Sequence, residues 1–292
     1  MKKEFVAFSM IVCGLISAPV FAANSCGYSC VAPYDLAEGS AVLSKISGTN
    51  FLASKLAAQF LKSQIKKNAN GAFKVSVKSY SATDLKEGRF KDLEIQGKNV
   101  VTKDVHFSSV NVKTLCDFNY VVYNKDKSTV VFKEDLPMSF SAVFSEEDLN
   151  NTMSANGYEK LIRQMNEFGT KYALFEILST KVGINENKFI YTFNLKIPIF
   201  NSQFTVALKS DLIIDNGQIV MKNPELVNNY ARIDMSRLTR AFNNLNPLEY
   251  SLNILKNKSA QLSVKNISIV NNKINVSGII YMPKDVLTQH KD

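Results

Sequence analysis

FKVSVKSY, residues 73–80, decides the reading of the fold. Phe73, Val75 and Val77 alternate with Lys74, Ser76 and Lys78, the period of two expected of a strand with one face in water. Upstream of Gly71 the period is different. Phe51, Leu52, Leu56, Phe60, Leu61 and Ile65 recur at helical spacing, with Thr49 or Asn50 as cap and Asn70-Gly71 as the stop. Lys55, Lys62, Lys66 and Lys67 ride largely on another face, so this is an amphipathic helix of the kind that covers a core or touches lipid.

Downstream the strand signal repeats. KDLEIQGKNVV, KDVHFSSVNVKTLC, FNYVVYN and STVVFKEDLPMSFSAVF are β-branched or aromatic runs separated by turn residues, which predicts an antiparallel meander. SEEDLNNTM and YEKLIRQMNEF then read as helices, the first opened by Ser145 with Glu146 and Glu147. Strands return in YALFEILSTKVGIN, KFIYTFNLKIPIF and SQFTVALKSDLIIDNGQIVMKNPELV, with Asp215-Asn216-Gly217 marking a hairpin turn. ARIDMSRLTRAFNNLNPLEY reads as a helix as far as Pro247, and two last strands turn about Asn271-Asn272-Lys273. The order is helix, strands, helices, strands, helix, strands: an α+β chain without the βαβ rhythm of nucleotide-binding folds.

The N-terminus MKKEFVAFSMIVCGLISAPVFAANSC has a basic start at Lys2 and Lys3, an apolar run from Phe5 to Leu15 and small residues before a cut after Ala22. That is the pattern of a cleaved secretory signal. Gly14, Ser17 and Pro19 break the run short of the ~20 apolar residues a membrane anchor needs. The expected division is a signal over 1–22, an arm over 23–48, one domain over 49–285 and a tail over 286–292. Processing leaves 270 of 292 residues (292 less 22), and the net charge of +9 falls to +8 as Lys2, Lys3 and Glu4 leave. Outside the cytoplasm such a charge favours an anionic membrane surface or wall polymer over nucleic acid. Cys26, Cys30 and Cys116 remain, allowing one bridge and one leftover thiol. Cys26 and Cys30 pair with each other, or one of them staples the arm to Cys116.

Neither a metal nor a cofactor is expected. The three thiols with His106 and His290 lack the paired spacing of a metal site. Motifs of nucleophile elbows, zincins and phosphate-binding loops are absent from the sequence. Glu146, Glu147 and Asp148 are the best carboxylate cluster for a hydrolase acting on envelope lipids or glycans, but at a helix start they serve first as dipole partners.

EGRFKDLEIQGKNVVTKDVHFSSVNVKTLCDF (87–118) and PLEYSLNILKNKSAQLSVKNISIVNNKINVSGIIYMP (247–283) carry a resemblance. The first resembles the opening signature of the LmeA-like phospholipid-binding family. The second is similar to that family's ending, with Gly278 and Pro283 at the expected places, and the resemblance in order of elements covers most of 45–285. The resemblance implies a periplasmic or cell-envelope protein whose long curved antiparallel sheet wraps an amphipathic helix around an apolar cleft, tubular lipid-binding-like, with no cofactor and no catalytic residue. Acyl chains would then be buried against Leu52, Leu56, Phe60, Phe189, Tyr191, Phe193 and Leu195, with Lys55, Lys62, Lys66 and Lys67 meeting the headgroup phosphate. The expected partner is a phospholipid or an anionic membrane surface. The competing expectation is a structural module of the envelope that docks a partner protein along strand edges.

Overall fold

The computed structural model describes residues 28–37, 49–124, 129–171, 175–197, 201–227, 243, 245–253, 255 and 260–285. The signal expected over 1–22, Cys26, His290, the tail and nearly all of the helix read over 231–246 lie outside the described residues.

The chain is α+β, with antiparallel strands in open sheets and few helices. Helix α1 (Thr49–Asn68) leads into β1 (Asn70–Lys78), followed by the short α2 (Ala82–Lys86), β2 (Arg89–Phe90), β3 (Asp92–Thr102) and β4 (Val105–Thr114). Strands β5 (Asn119–Asn124), β6 (Thr129–Phe132) and β7 (Leu136–Ser145) precede helices α3 (Glu146–Met153) and α4 (Asn156–Lys171). Next come β8 (Glu176–Asn185), β9 (Lys188–Ile197), β10 (Ser202–Asp215) and β11 (Gln218–Leu226), then α5 (Pro247–Asn253), β12 (Gln261–Val270) and β13 (Lys273–Met282).

The strands divide among three sheets: six strands in the order β1-β3-β4-β7-β13-β12, four in the order β11-β10-β9-β8, and the small β2-β5-β6. The single run of meander read between residues 73 and 144 is therefore interrupted. β2, β5 and β6 leave it, and Lys133, Glu134 and Asp135 split β6 from β7 where the sequence read one strand. Pro247 begins α5, and its fixed φ and missing N–H suit the first helical position.

Cross-strand pairing sets two Phe rings opposite glycines and elsewhere stacks apolar side chains in rungs. On the inward face of the six-stranded sheet Phe140 lies opposite Gly278, Ala142 opposite Val276, and Phe144 opposite Ile274. At the other end of the sheet Phe73 lies opposite Gly97, whose missing side chain leaves room for the ring. In the four-stranded sheet Val182, Tyr191 and Leu208 form one rung across β8, β9 and β10. Both sheets feed one continuous core, and α3 packs on β4 and β7 from one sheet and on β8 from the other. The β10–β11 turn abuts β12, with the Val264 amide donating to the Gly217 carbonyl at 3.2 Å.

Candidate functional site

Along α1 the residues divide by size as well as by polarity. Ala57, Leu61 and Ile65, with Ala69 just past its end, face the protein, whereas Phe51, Leu52, Leu56 and Phe60 are 70%, 59%, 66% and 49% exposed. The inward stripe is half alanine, so α1 cannot fill the space between itself and the sheets. What remains is a cavity of about 370 Å³. Its lining comes from Ala57, Phe60 and Leu61 of α1, Val77 of β1, Leu93 of β3 and Leu136 of β7 on one side. Leu85 through Gly88, Phe90, Val121, Val122 and Val130 close the other.

A second, separate hollow of about 60 Å³ lies further along α1. Leu61, Leu93 and Leu136 line the larger space; Ile65, Ile95 and Met138 line the smaller. Each pair is the next inward position on its own element, four residues on in the helix and two on in each strand. The two hollows thus lie one after the other beside α1, with no lining residue in common.

The rim is held by charge buried under α2. Ser81 caps that helix by accepting from the Asp84 amide at 3.0 Å, and its hydroxyl donates to Asp84 Oδ2 at 2.5 Å. Asp84 also accepts from the Ala37 amide at 3.0 Å and pairs with Arg89 at 3.2 Å. Burial pushes the Asp84 carboxyl up, but its hydrogen bonds to Ser81, Ala37 and Arg89, with the guanidinium charge, outweigh this and hold it below the usual carboxylate range. Burial likewise opposes the charge on Arg89, and Glu87 with Asp84 overrides it. Glu87, at the cavity rim, is ion-paired to Arg89. Gly88 has φ +91°, and a Cβ there would meet the Val121 carbonyl oxygen at 1.9 Å, so β5 passes directly over the rim.

The arm over Tyr28–Ala37 is fastened beside this rim. Cys30 is bonded to Cys116, with Cα atoms 5.5 Å apart, which selects one of the pairings open to the sequence. Tyr34 packs on Phe118 with ring centroids 5.1 Å apart and donates to Glu134 at 2.7 Å. Burial, with that hydrogen bond next, pushes its phenol up to about 12.

Of the residues predicted to bury acyl chains, Phe60 lines the cavity. Leu52 and Leu56 point outward from the same helix. Phe189, Tyr191, Phe193 and Leu195 share one face of β9 but are buried in the core beneath the four-stranded sheet and line neither hollow. Their alternation is satisfied by the chain itself: the Tyr191 hydroxyl donates to the Leu245 carbonyl at 2.9 Å and is also bonded to the Tyr158 hydroxyl. Of the predicted headgroup lysines, Lys55, Lys66 and Lys67 are exposed and Lys62 half-buried, all outside the cavity lining. Lys86, not singled out in the sequence, does line it.

Val121, Val122 and Val130 were also missed. A usable signal was present: Val121-Val122 and Val130-Val131 are adjacent apolar pairs in short strands, a sign that both faces are covered. Two of the three carboxylates of the Glu146–Asp148 cluster have structural work, and Glu147 is exposed. Asp148 Oδ2 accepts from the Ser145 amide at 2.8 Å and the Ser108 hydroxyl at 2.5 Å, and Glu146 Oε2 accepts from the Ile184 amide at 3.1 Å. Among the described residues there is no cluster of metal-ligating side chains, and no helix is long and apolar enough to cross a membrane. No family model, curated protein or solved structure matches the chain.

Proposed function

We propose that this chain is an exported cell-envelope protein that binds a phospholipid or another acylated lipid, without catalysis, by burying an acyl chain in the slot between α1 and the six-stranded sheet. The observation that carries the proposal is the cavity of about 370 Å³, apolar on nearly every side, with a second, smaller hollow further along the same helix. Small-molecule sites run from roughly 300 to 1,000 Å³, so this volume suits a single chain better than a whole two-chain lipid. Each methylene taken from water contributes about 0.8 kcal/mol. Lys86, which lines the cavity, is the cation proposed to meet a headgroup phosphate. In this reading the sheet and α1 form the wrapped, tubular lipid-binding-like arrangement that the family resemblance implies.

Export rests on the signal-like N-terminus together with the Cys30–Cys116 bond, because disulfides persist in oxidising compartments. The test is organic extraction of the purified protein with mass spectrometry of the extract, alongside titration with a fluorescent fatty acid. A stoichiometric acyl lipid, or displacement of the probe by one, is the expected result. A lipid-free protein that leaves the probe in solution overturns the proposal. A single stoichiometric protein partner recovered without lipid transfers the function to the envelope docking module.

A further inference from the structure

The outward face of α1 is built as though it had a surface to meet. Phe51, Leu52 and Leu56 are each more than half exposed, and Leu52, Leu56 and Phe60 recur every four residues along one edge. Core packing explains none of this exposure, because Ala57, Leu61, Ile65 and Ala69 supply the inward contacts. The helix carries four lysines and not one carboxylate in 20 residues. Lys55 and Lys66 are exposed, and the Lys55 ammonium lies 6.0 Å from the centre of the Phe51 ring.

We infer that α1 docks the protein on an anionic lipid bilayer, its aromatic and leucine side chains entering the headgroup–acyl boundary and its lysines meeting the lipid phosphates. Apolar side chains interleaved with lysine are what an interfacial helix needs, since the first gain by leaving water and the second by approaching anionic headgroups. A second copy of the same face is disfavoured: it would set the exposed Lys55 and Lys66 against their own copies, and the helix carries no carboxylate. The inference rests on the lipid-binding reading for its purpose, because Ala57 and Phe60 of the docked helix also line the cavity. A lipid leaving the bilayer would have a short path into the slot.

The test is co-sedimentation of the purified chain, processed as the cell leaves it, with vesicles of phosphatidylcholine alone or mixed with phosphatidylglycerol. Binding to the mixed vesicles that weakens with added salt is expected. The triple variant Phe51→Ser, Leu52→Ser, Leu56→Ser changes only exposed side chains and should lower that binding roughly 100-fold. Lys55→Gln with Lys66→Gln should lower it roughly 30-fold, about fivefold per lysine. Three results overturn the inference: a wild-type chain that ignores the mixed vesicles, a triple variant that binds them as well as wild type, or a wild-type dimer that the triple variant makes monomeric. Titration with the fluorescent fatty acid without vesicles keeps the two proposals apart. Loss of docking with the probe still bound removes the inference alone, whereas docking without probe binding upholds it and removes the cavity reading.

Discussion

A methyl group on Gly278 would lie 2.1 Å from the Ser263 carbonyl oxygen, 2.8 Å from the Phe140 ring and 2.9 Å from the Val264 Cα. Two of those neighbours are backbone of the adjoining strand, so the contact cannot be relieved by a rotamer change. Gly278→Ala should therefore destabilise the protein by about 3 kcal/mol, the upper range for overpacking. Gly183→Ala, whose nearest neighbour would be the Ile190 Cβ at 3.7 Å, should stay within about 0.5 kcal/mol of wild type. Urea midpoints at matched slopes measure both. Asp84 makes a different prediction. Its carboxyl is held below the usual range, so the folded state binds its proton less readily than the unfolded state does. That contribution is present above the unfolded value near pH ~4 and is lost as pH falls through the folded one. Asp84→Asn should cost about 3 kcal/mol at neutral pH, because it leaves buried Arg89 with only its Glu87 ion pair. The variant's stability should also fall less steeply than wild type below pH ~4, as read from urea unfolding across that range.

Among the elements, those with a strong local signal lie where the sequence places them. The hairpin at Asp215-Asn216-Gly217 has φ +49° and +76° at its last two residues, and Asn271 and Asn272 turn at +51° and +56°, backbone that Asn and Gly adopt at least cost. Ser145 caps α3 in a capping box with Asp148. What sequence could not settle was which face of α1 meets the protein. Apolar residues lie on both sides of that helix, and only the sheet beneath decides that Leu61 and Ile65 turn in while Leu52 and Leu56 turn out. The β9 alternation was legible as burial but silent on whether chain or ligand did the burying. The arm is a case where pairing was open and the fold chose. Cys30–Cys116 closes a separation of 86 residues, for which loop-closure entropy predicts about 4–5 kcal/mol. The double variant Cys30→Ser, Cys116→Ser should lose most of that in urea unfolding. Reduction should reproduce the loss in wild type and add nothing to the variant.

At the scale of the whole molecule, stability and the proposed function make opposite demands on the space beside α1. A sheet-and-helix protein gains by closing every void, since an unfilled cavity costs about 24 cal/mol per Å³ where it is created in a core. Here the void lies between a helix with alanine on its inward stripe and a sheet edge bridged by the small β2-β5-β6 sheet. Replacing Ala57, whose side chain already borders the cavity, by Phe puts a ring where the acyl chain is proposed to lie. If the space is kept open for a ligand, Ala57→Phe should lower fatty-acid affinity at least tenfold. Unfolding free energy should stay unchanged or rise by up to about 1 kcal/mol, because the ring removes apolar surface from water without displacing packed atoms. Leu61→Ala works in the reverse direction: it enlarges the same space and should cost about 3 kcal/mol, part of which a saturating acyl ligand should restore by mass action. A loss of stability in Ala57→Phe as large as in Leu61→Ala would mean that the region closes in solution and that no slot awaits a chain. Stability retained with affinity lost would tie the open volume, and not merely a greasy surface, to ligand binding.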